Sequence, residues 1–333
     1  MSTAPPPAMS GAPVLIVPAC GKGRGGGHLS RSLFLKRRLE EEGREAYLWI
    51  PESVKDEVLN RFKHLFKNTD TRIFSKEEDI SGRTWNFIVL DNFRTSRKEY
   101  AFWAGLSQKG RFPLIGIDEG GPCRKRFDFL IDLLPSLEKL KPDISAPWLL
   151  PLPKKRRPAF MKESEVSEEN PLRVLISFGA EDSAELGYYA ARRLARQKTA
   201  MQEITLIAPN RDGIDESELC GINVIGNVGD LRERMAEYDL FITHFGLGAF
   251  EAIYARVPVL LLSPTAYHEK LKTAAGFAGA RHLFSYDDGG FFNREFLETL
   301  CQQCGEIARR YGLEEDQKED LASFINRYDF RRR

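Results

Sequence analysis

The stretch VLIVPACGKGRGGGHLS, residues 14–30, decides the fold of this chain. Its first four residues are apolar, as in a buried strand, and an amphipathic helical pattern begins at Leu29. Gly43 supplies the left-handed stop that commonly ends a helix. A strand, a glycine-rich turn and a helix in this order are typical of the first unit of a doubly wound α/β sheet.

The same alternation of short apolar runs and helical patterns continues along most of the chain. The predicted strands cover 14–17, 46–50, 87–90, 114–117, 173–177, 203–207, 223–225, 240–243 and 258–262. The predicted helices cover 28–42, 52–66, 96–108, 183–197, 230–237, 247–255, 267–279, 291–311 and 315–328. Strands that alternate with helices form parallel sheets covered on both faces. We therefore predict an α/β protein of two doubly wound, Rossmann-like domains that face each other across a cleft.

The domain organisation follows from length and composition. A chain of 333 residues exceeds what one hydrophobic core usually supports. Proline-rich, charged sequence at 136–170 predicts a linker between an N-terminal domain, 13–135, and a C-terminal domain, 171–312. Residues 1–12 are expected to form a disordered tail, and 313–333 a C-terminal helix that can pack back on the first domain.

Composition also limits the partners and the location. Lys and Arg number 49 against 48 Asp and Glu, so the chain has almost no net charge. We therefore expect no large positive electrostatic field that would attract nucleic acid. Basic runs such as 154–157 are expected to face solvent. No apolar run reaches the roughly 18 residues of a membrane span. Five cysteines and no secretory leader predict reduced thiols and a cytoplasmic protein. Cys301 and Cys304 form a lone C-x-x-C without a second ligand pair, so no metal site is predicted.

The glycine run, Gly21 to Gly27, is the first candidate binding element. Five glycines leave the backbone bare where it would curl around an anionic ligand. The run matches a dinucleotide fingerprint literally, but Glu52 is the nearest acid and lies beyond Pro51, so an NAD(P) or FAD enzyme is the weaker alternative. A phosphate-loop NTPase is excluded because no Gly-Lys-Ser/Thr follows at the required spacing.

His28 is the candidate general base. It follows Gly26 and Gly27 at the mouth of a helix, where substrate can approach closely, and an imidazole can take or give a proton at neutral pH. Arg31 lies one turn further on the same face and can hold an anionic group. The alternative is a histidine that only caps the helix.

Two acids follow strands of the first half, and a turn with glycines follows a strand of the second half. Asp91 and Asp118 stand where such folds place ligands, although acids also cap helices there.

In the second half, residues 240–243 lead into His244, Gly246, Leu247, Gly248, Ala249 and Glu251. Amides at a helix N-terminus suit a diphosphate, and Glu251 can accept both hydroxyls of a ribose. The alternative is a plain strand-turn-helix with an acid near the positive end of the helix dipole.

Several of these segments together resemble a known family. Those of the second half, 239–246, 250–252 and 257–260, resemble the donor-nucleotide motif of GT-B nucleotide-sugar enzymes. Those of the first half are 26–31, 88–93, 115–119 and 127–132. In this order they resemble the family that unites the UDP-sugar hydrolase of pseudaminic acid synthesis with predicted glycosyltransferases of spore-coat polysaccharide synthesis. The resemblance covers roughly residues 14–285.

The resemblance implies a GT-B architecture and a UDP-sugar hydrolase or glycosyltransferase that works without metal or cofactor, with a nucleotide sugar and a sugar acceptor as partners. It implies that His28 activates the attacking water. Our own hypothesis is that His28 acts as general base on water or an acceptor hydroxyl, with Asp91 or Asp118 orienting it or the substrate. Glu251 would hold the ribose of UDP and the turn 246–249 its diphosphate. The loop 177–182, with Gly179, would border the cleft.

Three positions depart from the family pattern. Ala249 offers no hydroxyl where Ser or Thr is common, His268 stands where a glutamine often recognises the sugar or phosphate, and His244 replaces a small residue. These departures keep open a second interpretation, a catalytically reduced protein that binds a nucleotide sugar without turning it over.

Overall fold

The computed structural model describes residues 11–21, 26–66, 72–160, 171–179, 182, 184–196, 202–209, 214–226, 228, 231–277, 294–328 and 330. The chain forms two compact units, one made of residues up to 151 with those from 318 onward, the other of 152–317. The strands are β1 (Val14–Pro18), β2 (Ala46–Trp49), β3 (Ile73–Phe74), β4 (Phe87–Asp91), β5 (Leu114–Ile117), β6 (Phe129–Asp132), β7 (Ile144–Ser145), β8 (Leu172–Ser177), β9 (Gln202–Ile207), β10 (Ile222–Ile225), β11 (Leu240–Thr243) and β12 (Val259–Leu261). The helices are α1 (Gly27–Glu41), α2 (Glu52–Arg61), α3 (Lys63–Phe66), α4 (Glu77–Ser81), α5 (Arg97–Gly110), α6 (Leu186–Ala195), α7 (Leu231–Arg234), α8 (Leu247–Tyr254), α9 (Ala266–Ala275), α10 (Arg294–Arg310) and α11 (Leu321–Arg327).

The first unit is a parallel sheet with strand order β3-β2-β1-β4-β5-β6-β7. The strand order reverses between β1 and β4, where Pro18 pairs with Asp91 at the carboxyl ends. Open parallel sheets bind ligands at this reversal, because the connections to the two neighbouring strands leave on opposite faces. The carboxyl ends of β1 and β4 are therefore where a site is expected. Asp91 ends β4, and His28 lies in the first turn of α1, the helix that follows β1.

Aromatic side chains fill the core of the first unit. Trp49 of β2 and Trp103 of α5 pack edge to face with ring centroids 5.8 Å apart. Trp85 is buried and satisfies its indole N–H on the carbonyl of Ile80 at 3.2 Å. Such rings bury large areas and prefer this geometry, so they hold helices firmly against the sheet behind the site.

The second unit is a smaller parallel sheet with strand order β10-β9-β8-β11-β12. Its order reverses between β8 and β11, so the loops that follow these strands meet at one edge. Gly179 lies in the loop after β8, and His244 follows β11 directly.

The predicted α/β class with two doubly wound, Rossmann-like domains is confirmed. The predicted helix 52–66 is interrupted at Phe62, which divides it into α2 and α3. The predicted helix 315–328 begins only at Leu321, because the Asp320 side chain accepts from the amide of Ser323 at 2.9 Å and caps it there. We did not predict β3 and β7, which at two residues each are too short for a periodic signal. We did not predict the four-residue β6 either.

The segment 136–170, which we predicted to be a linker, divides between the two units. Residues 136–151 belong to the first and contain β7, residues 152–160 belong to the second, and 161–170 lie outside the described residues. No helix in the described part of the chain is both long and apolar enough to cross a membrane.

The prediction that the basic run 154–157 faces solvent is wrong for its two arginines. The guanidinium of Arg156 lies 4.2 Å from the ring centroid of Tyr254 and donates to the Tyr254 carbonyl at 2.9 Å. Arg157 pairs with Asp239 at 2.5 Å. The backbone carbonyl at the end of α8 and a buried acid attract these cations, and neither can be read from the run itself.

Candidate active site

Of the glycine run, the structure describes Gly21, Gly26 and Gly27, the last of which begins α1. Gly21 has φ +119°, which L residues rarely adopt. Residues 22–25 lie outside the described part of the chain. The helix begins at Gly27 after Gly26, and no described side chain caps it. His28 thus stands in the first turn of α1, 21% exposed.

His28 and Asp91 form a direct pair. The Nδ1 atom of His28 lies 2.7 Å from Oδ1 of Asp91, the last residue of β4, whose side chain is 1% exposed. With the proton on Nδ1 donated to the carboxylate, Nε2 is the ring nitrogen that can accept a proton. A partly exposed imidazole held by a buried carboxylate is the arrangement of a general base and its orienting acid.

Arg31 is buried and holds both candidate acids. Its Nε and Nη2 donate to Asp91 at 2.9 and 2.5 Å, and its Nη1 donates to Asp118 at 2.5 Å. The side chain is 2% exposed. We expected Arg31 to hold an anionic group of the substrate; the structure corrects this, because the guanidinium is committed to protein carboxylates. Its two hydrogen bonds to Asp91 fix the orientation of that carboxylate.

Electrostatics keep Asp91 ionised. Burial alone would raise the pKa of Asp91, but the charges of Arg31 and His28 outweigh burial and hold that pKa well below its ordinary value. Burial would likewise lower the pKa of Arg31, and Asp91 and Asp118 raise it instead. Ser32 adds a hydrogen bond to Oδ2 of Asp91 at 3.1 Å. Four donor atoms therefore fix this carboxylate.

Asp118 is joined to the pair through Arg31, and no direct contact with His28 is seen. It adopts a left-handed φ of 51°, and its Oδ1 accepts from the amides of Leu133 and Leu134 at 2.7 and 2.9 Å. An aspartate can occupy this region when its side chain bonds to nearby backbone. Asp118 thus fastens the loops after β5 and β6 to Arg31, and it is 9% exposed.

In the second unit, the turn after β11 presents a helix N-terminus. α8 follows Gly246, no described side chain caps it, and its first turn carries no acid. The amide of Ala249 bonds back to the carbonyl of Gly246 at 3.2 Å, so the amides of Leu247 and Gly248 remain the better candidates for an anion. Ala249 itself is fully buried.

Glu251 lies one turn into α8 and has a partner that we did not predict. Nε of Arg232, in α7, donates to its Oε1 at 2.8 Å, and the side chains are 21% and 12% exposed respectively. The ion pair fixes the carboxylate and gives a second oxygen, Oε2, a defined direction. A pair of residues on two packed helices leaves no sequence signal.

His244 lies on the ring of Phe178, with centroids 5.9 Å apart and planes 19° from parallel. His268 meets it edge-on at 6.1 Å, and its Nδ1 bonds to the hydroxyl of Thr265 at 2.8 Å. Burial, and then the neighbouring His268, lowers the pKa of His244 to about 4. His244 is therefore neutral at pH 7. Gly179 adjoins it: a Cβ there would lie 3.8 Å from Cε1 of His244.

The predicted residues therefore form two groups, one in each unit. The first joins His28, Arg31, Asp91 and Asp118 in one network at the carboxyl edge of the larger sheet. Gly26 and Gly27, which precede His28 at the start of α1, belong to the same unit. The second group gathers the other candidates around the carboxyl ends of β8, β11 and β12; they are Gly179, His244, Gly246, Leu247, Gly248, Ala249, Glu251 and His268. Among the described residues, no three metal-ligating side chains come together.

No family model and no curated protein matches this sequence. Solved structures do resemble it. The forosaminyltransferase SpnP is 14% identical with a TM-score of 0.62 over 96% of this chain and 98% of its own. LpCGTa in complex with UDP is 12% identical, TM-score 0.57, over 91% and 95%. A protein from Listeria monocytogenes described as a UDP-N-acetylglucosamine 2-epimerase is 14% identical, TM-score 0.54, over 94% and 100%. The fold of this protein is GT-B.

Proposed function

We propose that this protein is an enzyme that binds a nucleotide sugar, with UDP as the nucleotide, and transfers the sugar to an acceptor hydroxyl or to water. The observation that carries the proposal is the pairing of His28 Nδ1 with the buried carboxylate of Asp91 at 2.7 Å. Solved glycosyltransferases and a UDP complex with the same fold support a nucleotide sugar as substrate.

In this mechanism, Nε2 of His28 takes the proton of the attacking hydroxyl as its oxygen bonds to the anomeric carbon of the sugar. The bond from that carbon to the diphosphate oxygen breaks in the same step, and UDP leaves. The resulting imidazolium lies beside Asp91, which Arg31 holds in place. Arg31 carries one positive charge against the two carboxylates of Asp91 and Asp118, so a proton on His28 balances the network. The developing charge is stabilised by groups that are already oriented, which is the condition for efficient electrostatic catalysis.

The second unit supplies the groups that suit the nucleotide. The amides of Leu247 and Gly248 at the N-terminus of α8 suit the diphosphate, and the helix dipole favours its charge. Glu251 suits the two ribose hydroxyls, with Arg232 fixing its orientation. A neutral His244 can donate a hydrogen bond to phosphate without adding a full positive charge. These groups support leaving-group stabilisation that needs no divalent cation, and EDTA is expected to leave turnover unchanged.

Hydrolysis at the anomeric carbon and transfer to an acceptor differ only in whether His28 activates water or a sugar hydroxyl. The sequence resemblance supports a place in the synthesis of surface polysaccharide or nonulosonate sugars.

The five described cysteines are all free thiols, which supports a cytoplasmic location. Burial raises the pKa of Cys304 to about 12, so this thiol is a structural group.

The binding-only alternative rests on Ala249, which is fully buried and offers no hydroxyl to a phosphate. Calorimetry that detects UDP binding while no UDP-sugar is consumed would favour it. NADH fluorescence titration tests the dinucleotide alternative, for which we expect no saturable signal.

A panel of UDP-sugars, incubated with and without sugar acceptors, tests the proposal. Release of UDP indicates cleavage at the anomeric carbon, and release of UMP with sugar phosphate indicates cleavage within the diphosphate. We expect His28→Ala to abolish turnover while UDP binding persists. Arg37→Ala, an exposed residue of the same helix, is the matched control. Full turnover by His28→Ala would overturn the mechanism.

A further inference from the structure

A pocket of about 290 Å³ lies at the amino edge of the larger sheet, opposite the edge that carries His28 and Asp91. Phe87 lines the pocket and begins β4, and Asp91 ends the same strand, so about 13 Å of strand separates the two places. Proteins hold small ligands in pockets of about 300–1,000 Å³, and this one is at the small end of that range. It is therefore a place for a small molecule that is separate from the candidate active site.

Packed aromatic rings form part of the pocket wall. Tyr328 and Phe330 line the pocket, and their ring centroids lie 4.6 and 5.1 Å from that of Phe129. Phe330 also packs edge to face on Phe87 at 5.4 Å. Aromatic rings in such contacts stabilise one another, so the wall keeps its shape without a ligand. A preformed wall lowers the cost of binding.

Arg44 lines this pocket as a partly buried cation. Its guanidinium carbon lies 5.9 Å from the ring centroid of Phe87, and among the described residues no acceptor forms a hydrogen bond with its side chain. Burial lowers the pKa of Arg44, and the charge of Glu42 offsets this effect only in part. The charge of Arg44 is therefore incompletely balanced, and its N–H groups are available to an acceptor in the pocket.

Acids also lie along this edge, and each pairs with a cation other than Arg44. The pairs are Glu42 with Arg38, Glu45 with Arg72 and Glu319 with Arg327, at 3.8, 2.8 and 2.8 Å. These acids stay ionised, and Arg38 also binds Glu41 and Asp320, so the described groups give no excess of positive charge. Asp329 and the three arginines 331–333 lie outside the described residues. An anion would therefore be held by short hydrogen bonds from Arg44 and not by a long-range field.

Asn326 adds an unsatisfied acceptor to the pocket lining. Its Nδ2 donates to Oε2 of Glu42, and this contact fixes the orientation of the amide because only the nitrogen can donate to a carboxylate. Its Oδ1 is buried and has no donor among the described residues. Buried acceptors nearly always have a donor in folded proteins. A bound molecule that carries hydroxyl groups as well as an anionic group can supply one.

We propose that this pocket binds a small hydroxylated anion, of the sugar phosphate or sugar acid class, with Arg44 as the anchoring residue. The planar guanidinium matches two oxygens of a phosphate or a carboxylate in a bidentate pair. The hydroxyl groups of the ligand suit the polar lining, which includes Asn326. The proposal is independent of the enzyme activity.

Calorimetry of the full chain in phosphate-free buffer tests this, with glucose 6-phosphate, glucuronate and glucose as probes. UDP in excess occupies the proposed nucleotide site during these titrations. We expect saturable binding of glucose 6-phosphate or glucuronate and none of glucose, and the tighter anion identifies the group that Arg44 holds. Arg44→Gln removes hydrogen bonds to a charged group, so it should weaken binding by about 10- to 100-fold. Arg44→Lys keeps the charge without the parallel donors and should weaken binding less.

Arg97→Gln is the matched control, because Arg97 is exposed at the start of α5, on the opposite edge of the sheet, and should bind the probes as wild type does. An unchanged melting temperature without ligand confirms that each variant is folded. If Arg44→Gln does not fold, Arg327→Gln, at an exposed lining residue, replaces it, with an expected loss of about two- to fivefold.

Two results overturn the proposal: binding of neither anion to the wild type, or equal affinity of the wild type and the variant tested. UDP binding, measured first on the same protein, reports separately on the enzyme proposal.

Discussion

Arg31 and Asp91 form a bidentate ion pair inside the first unit, with Nε–Oδ2 and Nη2–Oδ1 distances of 2.9 and 2.5 Å and both side chains almost fully buried. Two parallel hydrogen bonds fix the plane of the carboxylate as well as its position. The same carboxylate holds His28, so the orientation of the proposed base depends on a residue that substrate does not reach.

The first prediction concerns this ion pair. Arg31→Ala should lower the free energy of unfolding by about 3–5 kcal/mol, because it leaves Asp91 and Asp118 buried without their cation. Arg31→Lys keeps the positive charge but loses the two parallel N–H donors of the guanidinium. It should therefore recover part of the stability and little of the turnover. Urea denaturation followed by circular dichroism measures the first effect, and initial rates with a UDP-sugar measure the second.

Arg37→Ala is the control for Arg31→Ala, because Arg37 is exposed on the same helix. It should change the free energy of unfolding by no more than about 0.5 kcal/mol and leave the initial rate as in the wild type. If Arg31→Lys consumed the UDP-sugar at the wild-type rate, a role for the two parallel guanidinium hydrogen bonds in positioning Asp91 would be excluded.

The second prediction separates charge from shape at Asp91. Asp91→Asn keeps the size of the side chain but cannot stabilise an imidazolium. General base assistance is worth about 10² to 10⁴-fold, so kcat should fall within this range. UDP affinity should stay constant, since its proposed ligands lie in the other unit. Asp56→Asn, an exposed carboxylate of α2, is the matched control. A variant whose kcat falls less than tenfold would contradict the dyad.

The sequence predicted the positions of His28, Asp91 and Asp118 because each follows a strand, and chain order determines which strand ends meet. It misjudged Arg31, since spacing on a helix shows which residues share a face but not whether that face is buried against β4. Arg232 was not predicted at all, and Phe178 was predicted only as part of the loop 177–182. Their contacts with Glu251 and His244 depend on the packing of α7 against α8 and of the loop after β8 against that after β11, neither of which leaves a periodic pattern.

The third prediction is a pH dependence of stability that arises from His244. The native pKa of about 4 lies below the ordinary 6.5, so between these values the unfolded chain binds the proton more readily than the native state. Stability is therefore complete above pH 6.5 and falls as the pH decreases through this window, by about 2 kcal/mol at pH 5. Urea unfolding at pH 7 and pH 5 measures the difference.

His244→Gln removes the titrating group and should reduce that difference. His268→Gln should have a smaller effect, since burial lowers the pKa of His268 but this ring is less enclosed. An identical loss of stability between pH 7 and pH 5 in wild type and His244→Gln would show that other groups cause it.

The fourth prediction tests Glu251 as the ribose ligand. Hydrogen bonds to a charged group contribute about 1.5–3 kcal/mol, so Glu251→Gln should weaken UDP binding by about 10 to 100-fold. Arg232→Ala removes only the residue that orients the carboxylate and should cost less. Uridine and its 2′-deoxy analogue, compared by calorimetry, should differ less in affinity for Glu251→Gln than for the wild type, because the neutral amide oxygen of glutamine is a weaker acceptor than the carboxylate. Glu237→Gln, a half-exposed acid of the same unit, should bind UDP as wild type does. Wild-type discrimination between the two nucleosides in Glu251→Gln would assign the ribose to another residue.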